Sequence, residues 1–210
     1  MKGRGAGVLV RNLSCRYGAS VAVEDVGFHV APGERVAIVG GNGSGKTTLL
    51  RALLGLHRAN SGEMALDGTR AGDWTAWRRR IAWVPQLHGK GLFPLRVADL
   101  IESTACAALV PAALERFGLD GLGPHPISRL SGGQRQRAYL ARAWAAIEDH
   151  ADLLLADEPT AALDFESRDQ VTMWIETLAV SALVVTHDPK IASRCDRVLE
   201  MAAGRLREAA

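Results

Sequence analysis

The chain reads as an α/β protein whose parallel sheet is covered on both faces. Three observations predict this. Continuous apolar runs occur at Val36–Val39, Leu153–Ala156 and Leu183–Thr186, helical stretches separate them, and a glycine-rich turn at residues 40–45 joins the first run to a helix. Strands apolar at every position bury both faces, and the intervening helices supply the cover.

Taken in order, Val8–Leu13 and Val21–Val30 read as strands, the second alternating only in part around Glu24 and Asp25. Pro32-Gly33-Glu34 is a turn before the apolar strand Val36–Val39. After the glycine-rich turn a helix runs through Leu49, Leu50, Leu53 and Leu54. Ser61-Gly62-Glu63 and Asp67-Gly68 bracket a short strand, and Ile81–Val84 is another. From about residue 94 to 146 the character changes. Asp99-Leu100-Ile101, Ala112–Phe117 and Gly132–Ala146 look helical, punctuated by Pro111, Gly118, Gly121, Gly123, Pro124 and Pro126. This middle is expected to be a helical insertion between sheet strands, within a single domain spanning residues 1–210. A last helix is expected over Phe165–Leu178.

Composition bounds the function. A formal charge of +2 is too small to argue for nucleic acid or an anionic membrane. Arg78, Arg79 and Arg80 form the one dense basic run, to be read as a solvated helix end or as a phosphate contact. Just before it, Trp74 and Trp77 can share a helix face, as packing or as shielding for a ligand. Cys15, Cys106 and Cys195 are far apart and odd in number, so they suggest a reducing compartment and three small buried hydrophobes. No apolar run reaches the roughly 18–20 residues that span a bilayer, and the opening residues lack a signal-peptide core. Any service to a membrane is therefore expected from the cytoplasm, through a separate partner.

Gly40-Gly41-Asn42-Gly43-Ser44-Gly45-Lys46-Thr47 matches the phosphate-loop pattern at every position, directly after a strand and opening a helix. Glycines let backbone N–H groups converge on phosphate oxygens, and the helix dipole adds to their pull. Lys46 is expected at the β- and γ-phosphates and the Thr47 hydroxyl on magnesium, with Thr48 beside them. Asp157 and Glu158 end an apolar strand, where parallel sheets open toward ligands. Two adjacent acids there imply a neutralising cation. Asp157 is then placed to hold magnesium and Glu158 to orient or deprotonate an attacking water. A plain surface pair is the alternative for those acids taken alone.

With these motifs stands Leu130-Ser131-Gly132-Gly133-Gln134, continued by Arg135-Gln136-Arg137. Together they resemble the ATP-binding cassette (ABC) ATPases in their transporter form, over nearly the whole chain. The resemblance implies an N-terminal antiparallel β subdomain beside the phosphate-loop core and the helical subdomain. It implies ATP and Mg2+ as ligands and a homodimer or paired cassette. In such a dimer Ser131, Gly132, Gly133 and Gln134 of one subunit complete the ATP site of the other. It further implies that Gln86 contacts magnesium and the attacking water, and that His187 holds the γ-phosphate. Asp164 would lie at the dimer interface and Tyr17 would stack on adenine.

Integral membrane permease subunits are implied partners, received by a surface at Leu87–Leu100 that includes Leu92, Phe93, Pro94 and Leu95. Subdomain core is the other reading of those residues. The cassette would sit at the cytoplasmic face of the membrane. Phe93-Pro94-Leu95-Arg96-Val97 resembles the matching segment of importers of zinc, manganese or iron chelates, which also employ a substrate-binding protein. Haem or multidrug exporters, and cassettes that do not transport, are the alternatives. No nucleic-acid partner is expected, since cassettes acting on DNA or ribosomes carry inserted coiled coils or tandem repeats. Gly41, Ala156 and Ala162 depart from the usual residues, and the stretch from Glu158 to His187 is short for the family.

Overall fold

The structure is a computed structural model and describes residues 4–87 and 94–209. Its elements run β1 (Val8–Tyr17), β2 (Ser20–Val30), β3 (Arg35–Val39), α1 (Lys46–Leu53), β4 (Ser61–Leu66), β5 (Thr69–Arg70), α2 (Trp74–Arg79) and β6 (Ile81–Val84). There follow α3 (Val97–Glu102), α4 (Val110–Arg116), α5 (Gly132–Asp149), β7 (Leu153–Asp157), α6 (Phe165–Glu176), β8 (Ser181–Val185), α7 (Pro189–Ala192), β9 (Arg197–Ala202) and β10 (Arg205–Glu208).

Among the described residues the strands form two sheets. One is antiparallel, in the order β2-β1-β4-β5. The other has the order β10-β9-β3-β8-β7-β6 and is parallel except for its edge strand β10. The chain therefore has an α/β fold, with an antiparallel β subdomain toward its N-terminal end. A first apolar cluster lies between the antiparallel sheet, α1 and one face of the parallel sheet, with Leu49, Leu50 and Leu53 of α1 against Ile38, Leu155 and Leu183. A second covers the opposite face, where Leu140 and Ala143 of α5 and Val171 and Ile175 of α6 meet Leu154, Ala156 and Val184. Strand residues alternate between the two clusters, which is why these runs are apolar throughout. A third cluster gathers α3, α4 and one face of α5 around Ile101, Ala113, Leu119 and Ala138.

Two elements outrun their expected bounds. β1 continues past Leu13 to Tyr17 because Asn12 takes a positive φ of 49° and inserts an irregularity into both of its pairings. Its Nδ2 donates to Asp25 Oδ1 at 2.8 Å, and Asp25 also has φ 49°, which explains the broken alternation at that point. The helix from Gly132 extends to Asp149; one face, with Ala138, Ala141 and Ala145, closes the helical cluster, and the other, with Leu140, Ala143 and Ile147, packs on the sheet. The β9–β10 hairpin, absent from the sequence reading, turns at Ala203 and Gly204 with φ 48° and 79°.

Candidate nucleotide site

The glycine loop leaves β3 at Gly40. A Cβ there would lie 2.1 Å from the Met201 carbonyl oxygen, and one on Gly45 would lie 2.2 Å from that of Ala22. With φ of 146° and 108°, both positions exclude side chains by conformation and by contact. Gly45 is the N-cap of α1, and no side chain caps that end. The first N–H groups of the helix are thus left for an anion. Lys46 is buried, and its ammonium donates to the carbonyls of Gly40 and Gly41 at 2.8 Å each and to Ser44 Oγ at 3.3 Å. Around it opens a cavity of about 550 Å³ lined by Tyr17, Ala22, Asn42, Gly43, Ser44, Gly45, Lys46, Thr47, Thr48, Gln86, Asp157 and Glu158. Gly41 is off the wall, and a Cβ there would meet nothing within 4 Å.

Asp157 is 1% exposed, and among the described residues neither carboxylate oxygen has a partner at hydrogen-bonding geometry. Burial holds its carboxyl above the ordinary carboxylate range, the Thr47 hydroxyl draws it back, and the charge of Glu158 raises it further. A buried, unpartnered acid facing a hydroxyl at the end of a phosphate loop suits a hard cation shared with phosphate. Among the described residues no group of three His, Cys, Asp or Glu could hold a metal by itself. Thr47, Gln86 and Asp157 line the same cavity and offer the oxygen donors that a hard cation takes.

Glu158 is held tightly. Its φ is 51°, a left-handed conformation that costs a non-glycine residue about 1–3 kcal/mol. Its N–H donates to the Val185 carbonyl at 2.9 Å. Its Oε2 accepts the His187 N–H at 3.3 Å and lies 2.7 Å from His187 Nδ1. The His187 side chain is itself 74% exposed and pairs with Glu158 rather than lining the cavity.

The residues Ser131–Gln134 stand apart from this cavity. Ser131 caps α5: its Oγ accepts the Gln134 N–H at 3.2 Å, and Gln134 Oε1 accepts the Ser131 N–H at 3.0 Å. Ser131 and Gly132 are exposed, and Gly133 sits so close to the Ala162 carbonyl that a Cβ would lie 3.2 Å from it. Gln136, which the sequence reading only noted in passing, is 1% exposed and donates from Nε2 to the Pro159 carbonyl at 2.9 Å. It ties α5 to the segment that follows Glu158. The S-x-x-Q capping pattern is visible in the sequence, but nothing there signals the Gln136 bond. Asp164 is exposed and caps α6, accepting the Ser167 N–H at 2.9 Å; this donor holds its carboxyl below the usual range.

Several residues fall outside the site. Trp77 donates to the Leu53 carbonyl at 2.7 Å, and Trp74 meets it edge-on at 5.9 Å, so the pair is packing. The basic run divides. Arg80 binds Asp152 at 2.6 Å and also Asp67, and is partly buried rather than a solvated end. Arg78 and Arg79 line a groove of about 510 Å³ with Ile81, Ser103, Thr104, Asp149 and His150. Of the cysteines only Cys15 is buried; Cys106 is exposed because it precedes a short 3₁₀ turn at Ala107 facing solvent, and Cys195 is half-buried. Burial raises the Cys195 thiol to about 11. Val97, Leu100 and Leu95 belong to the helical cluster, which supports the core reading for those three, while Leu92 and Phe93 lie outside the described residues.

This is the geometry of a phosphate-loop nucleotide-binding protein. The chain belongs to the ABC transporter family, whose model matches residues 23–161, and carries its ATP-binding cassette. It is 38% identical over 216 residues to a sulfate/thiosulfate import ATP-binding protein of Bordetella bronchiseptica, covering 95% of this chain and 60% of that one. The chain thus spans about three fifths of that relative's length. A lipoprotein-releasing system ATP-binding protein of Francisella tularensis subsp. holarctica is 32% identical and matches over 93% of this chain and 94% of its own. Among solved structures, the dimeric bacterial ABC transporter cassette MJ0796 superposes with a TM-score of 0.87 at 28% identity, over 96% of this chain and 97% of that one. Among the described residues no helix is long and apolar enough to cross a membrane.

Proposed function

We propose that this chain is the ATP-hydrolysing subunit of an ABC transporter, working as a pair of cassettes beneath membrane permease subunits. The observation that carries the reading is one cavity joining Lys46, Thr47, Gln86, Asp157 and Glu158 behind an uncapped helix start. The loop N–H groups and Lys46 bind the β- and γ-phosphates, and Tyr17 takes the base. Thr47, Gln86 and Asp157 hold Mg2+, which supplies charge neutralisation at the phosphates. Glu158 accepts a proton from the attacking water, and His187, paired to its Oε2, orients that carboxylate and meets the γ-phosphate.

Ser131–Gln134 lie off their own chain's cavity, with Ser131 and Gly132 exposed, which supports their completing a partner's site, with Asp164 at the same interface. Residues 94–146 act as the helical subdomain that carries them. The permease is expected at the surface Leu87–Leu100 that follows Gln86. Within it Leu95, Val97 and Leu100 are largely committed to the helical core, while residues 88–93 lie outside the described residues. The cassette accordingly sits at the cytoplasmic face of the membrane, and an importer would add a substrate-binding protein.

Import of zinc, manganese or iron chelates rests on Phe93–Val97 alone. Sulfate import and lipoprotein release in the relatives favour other cargoes, so similarity supports the motor rather than its load. The test is phosphate release across a protein concentration series, comparing wild type with Glu158→Gln. Activity rising faster than linearly, with the mutant trapping an ATP-bound dimer, is expected. Linear activity from a chain that stays monomeric would overturn the paired site.

A further inference from the structure

We infer that His57 is a positioning residue for base recognition: it backs the Tyr17 ring so that Tyr17 presents a prepared face to the purine of a bound nucleotide. The inference rests on the ATP reading above. Tyr17 ends β1, is 51% exposed and lines the phosphate-loop cavity. An exposed tyrosine at a strand end samples several rotamers, and a ligand that stacks on it must first order it. Here the ring already has a neighbour. The His57 imidazole lies 4.5 Å from it, centroid to centroid, at an interplanar angle of 43°.

His57 is itself held from both sides. Its N–H and that of Leu56 donate to the Arg51 carbonyl at the end of α1, at 3.1 and 2.8 Å, and Asn60 N–H donates to Ser14 in β1 at 2.8 Å. The loop between α1 and β4 is thereby moored to the helix of the phosphate loop and to the strand that bears Tyr17. Among the described residues His57 Nε2 is buried with no hydrogen-bond partner. With no polar partner at that atom, the ring is placed by its contact with Tyr17 and not by a side-chain hydrogen bond. Its aromatic contact accounts for the ring, and the cavity beyond Tyr17 accounts for the contact.

The experiment measures dissociation constants of Mg-ATP and of tripolyphosphate, which lacks a base, for wild type, His57→Ala, His57→Phe, Tyr17→Ala and the double alanine variant. His57→Ala is expected to weaken ATP about two- to tenfold, the range of one aromatic pair, and to leave tripolyphosphate unchanged. His57→Phe restores ATP binding, and the double variant loses no more than Tyr17→Ala alone. Equal loss for both ligands, no loss for ATP, or additive losses would overturn the role of His57. Wild-type protein that binds neither ligand, or Lys46→Ala that binds ATP as well as wild type, would instead overturn the nucleotide reading on which it rests.

Discussion

The phosphate loop and the start of α5 are both glycine-rich helix N-termini, and they are finished in opposite ways. At α1 no side chain caps the helix, the loop is walled in by the backbone of Ala22 and Met201, and a buried lysine waits among carbonyls. At α5 the capping box of Ser131 and Gln134 already satisfies the helix end, and Ser131 and Gly132 face solvent. The first is a complete anion site within its own chain. The second is a capped helix start whose exposed residues lie off the cavity of their own chain. That contrast is what a composite site in a dimer requires, since a surface meant for another molecule must hold its shape while empty.

The comparison can be broken or sharpened by substitution, beginning with the largest effect. Lys46→Ala removes the one buried ammonium in the cavity and is expected to weaken ATP binding by about a hundredfold or more, read by titration with a fluorescent nucleotide. Retained affinity would show that the loop is not an anion site. Ser131→Ala is expected to lower phosphate release by about ten- to a hundredfold at saturating ATP while leaving ATP affinity of the monomer unchanged. It also removes a helix cap, and a loss of about 1 kcal/mol should appear as a fall in Tm of about 2–4 °C. A drop in Tm without loss of turnover would confine Ser131 to capping.

Gln136→Leu tests the link between the two regions. It leaves the Pro159 carbonyl buried without a donor, a cost of about 1–3 kcal/mol that equilibrium urea unfolding would register. An unchanged midpoint would mean that the Gln136–Pro159 bond contributes nothing. The smallest effect is expected from Asp157→Asn. Burial raises the Asp157 carboxyl above its unfolded value, so the folded state binds its proton more tightly. Its contribution to stability is present below the unfolded pKa and is lost as pH rises through the folded one. The Asn variant, without nucleotide or Mg2+, should therefore melt higher than wild type near neutral pH, and the gain should vanish below about pH 4. A gain independent of pH would assign the effect to packing.

Much of the cavity is readable before folding because it is made of contiguous residues. Gly40–Thr47 carries its own turn, its donors and its helix start, and Asp157-Glu158 is placed by the apolar run ahead of it. Apolar continuity in β3, β7 and β8 likewise announces a sheet buried on both sides. Other features depend on which surfaces meet. Ala203-Gly204 resembles many small-residue pairs, and its hairpin forms where Gly204 can accept from Glu24 and donate to Ser44. Arg80 reads as the end of a basic run until Asp67 and Asp152 close on it. Cys106 carries the same chemistry as Cys15, and only packing places one outside and the other within.

Local pattern thus decides the elements, the phosphate loop and the residue types at the site, since backbone preference and apolar period act between near neighbours. The pairing of His57 with Tyr17, of Gln136 with Pro159 and of Glu158 with His187 arises only in the folded chain. Those contacts join residues 23 or more apart, as Gln136 and Pro159 are, and no periodicity in one dimension records which faces the close packing of the core will bring together.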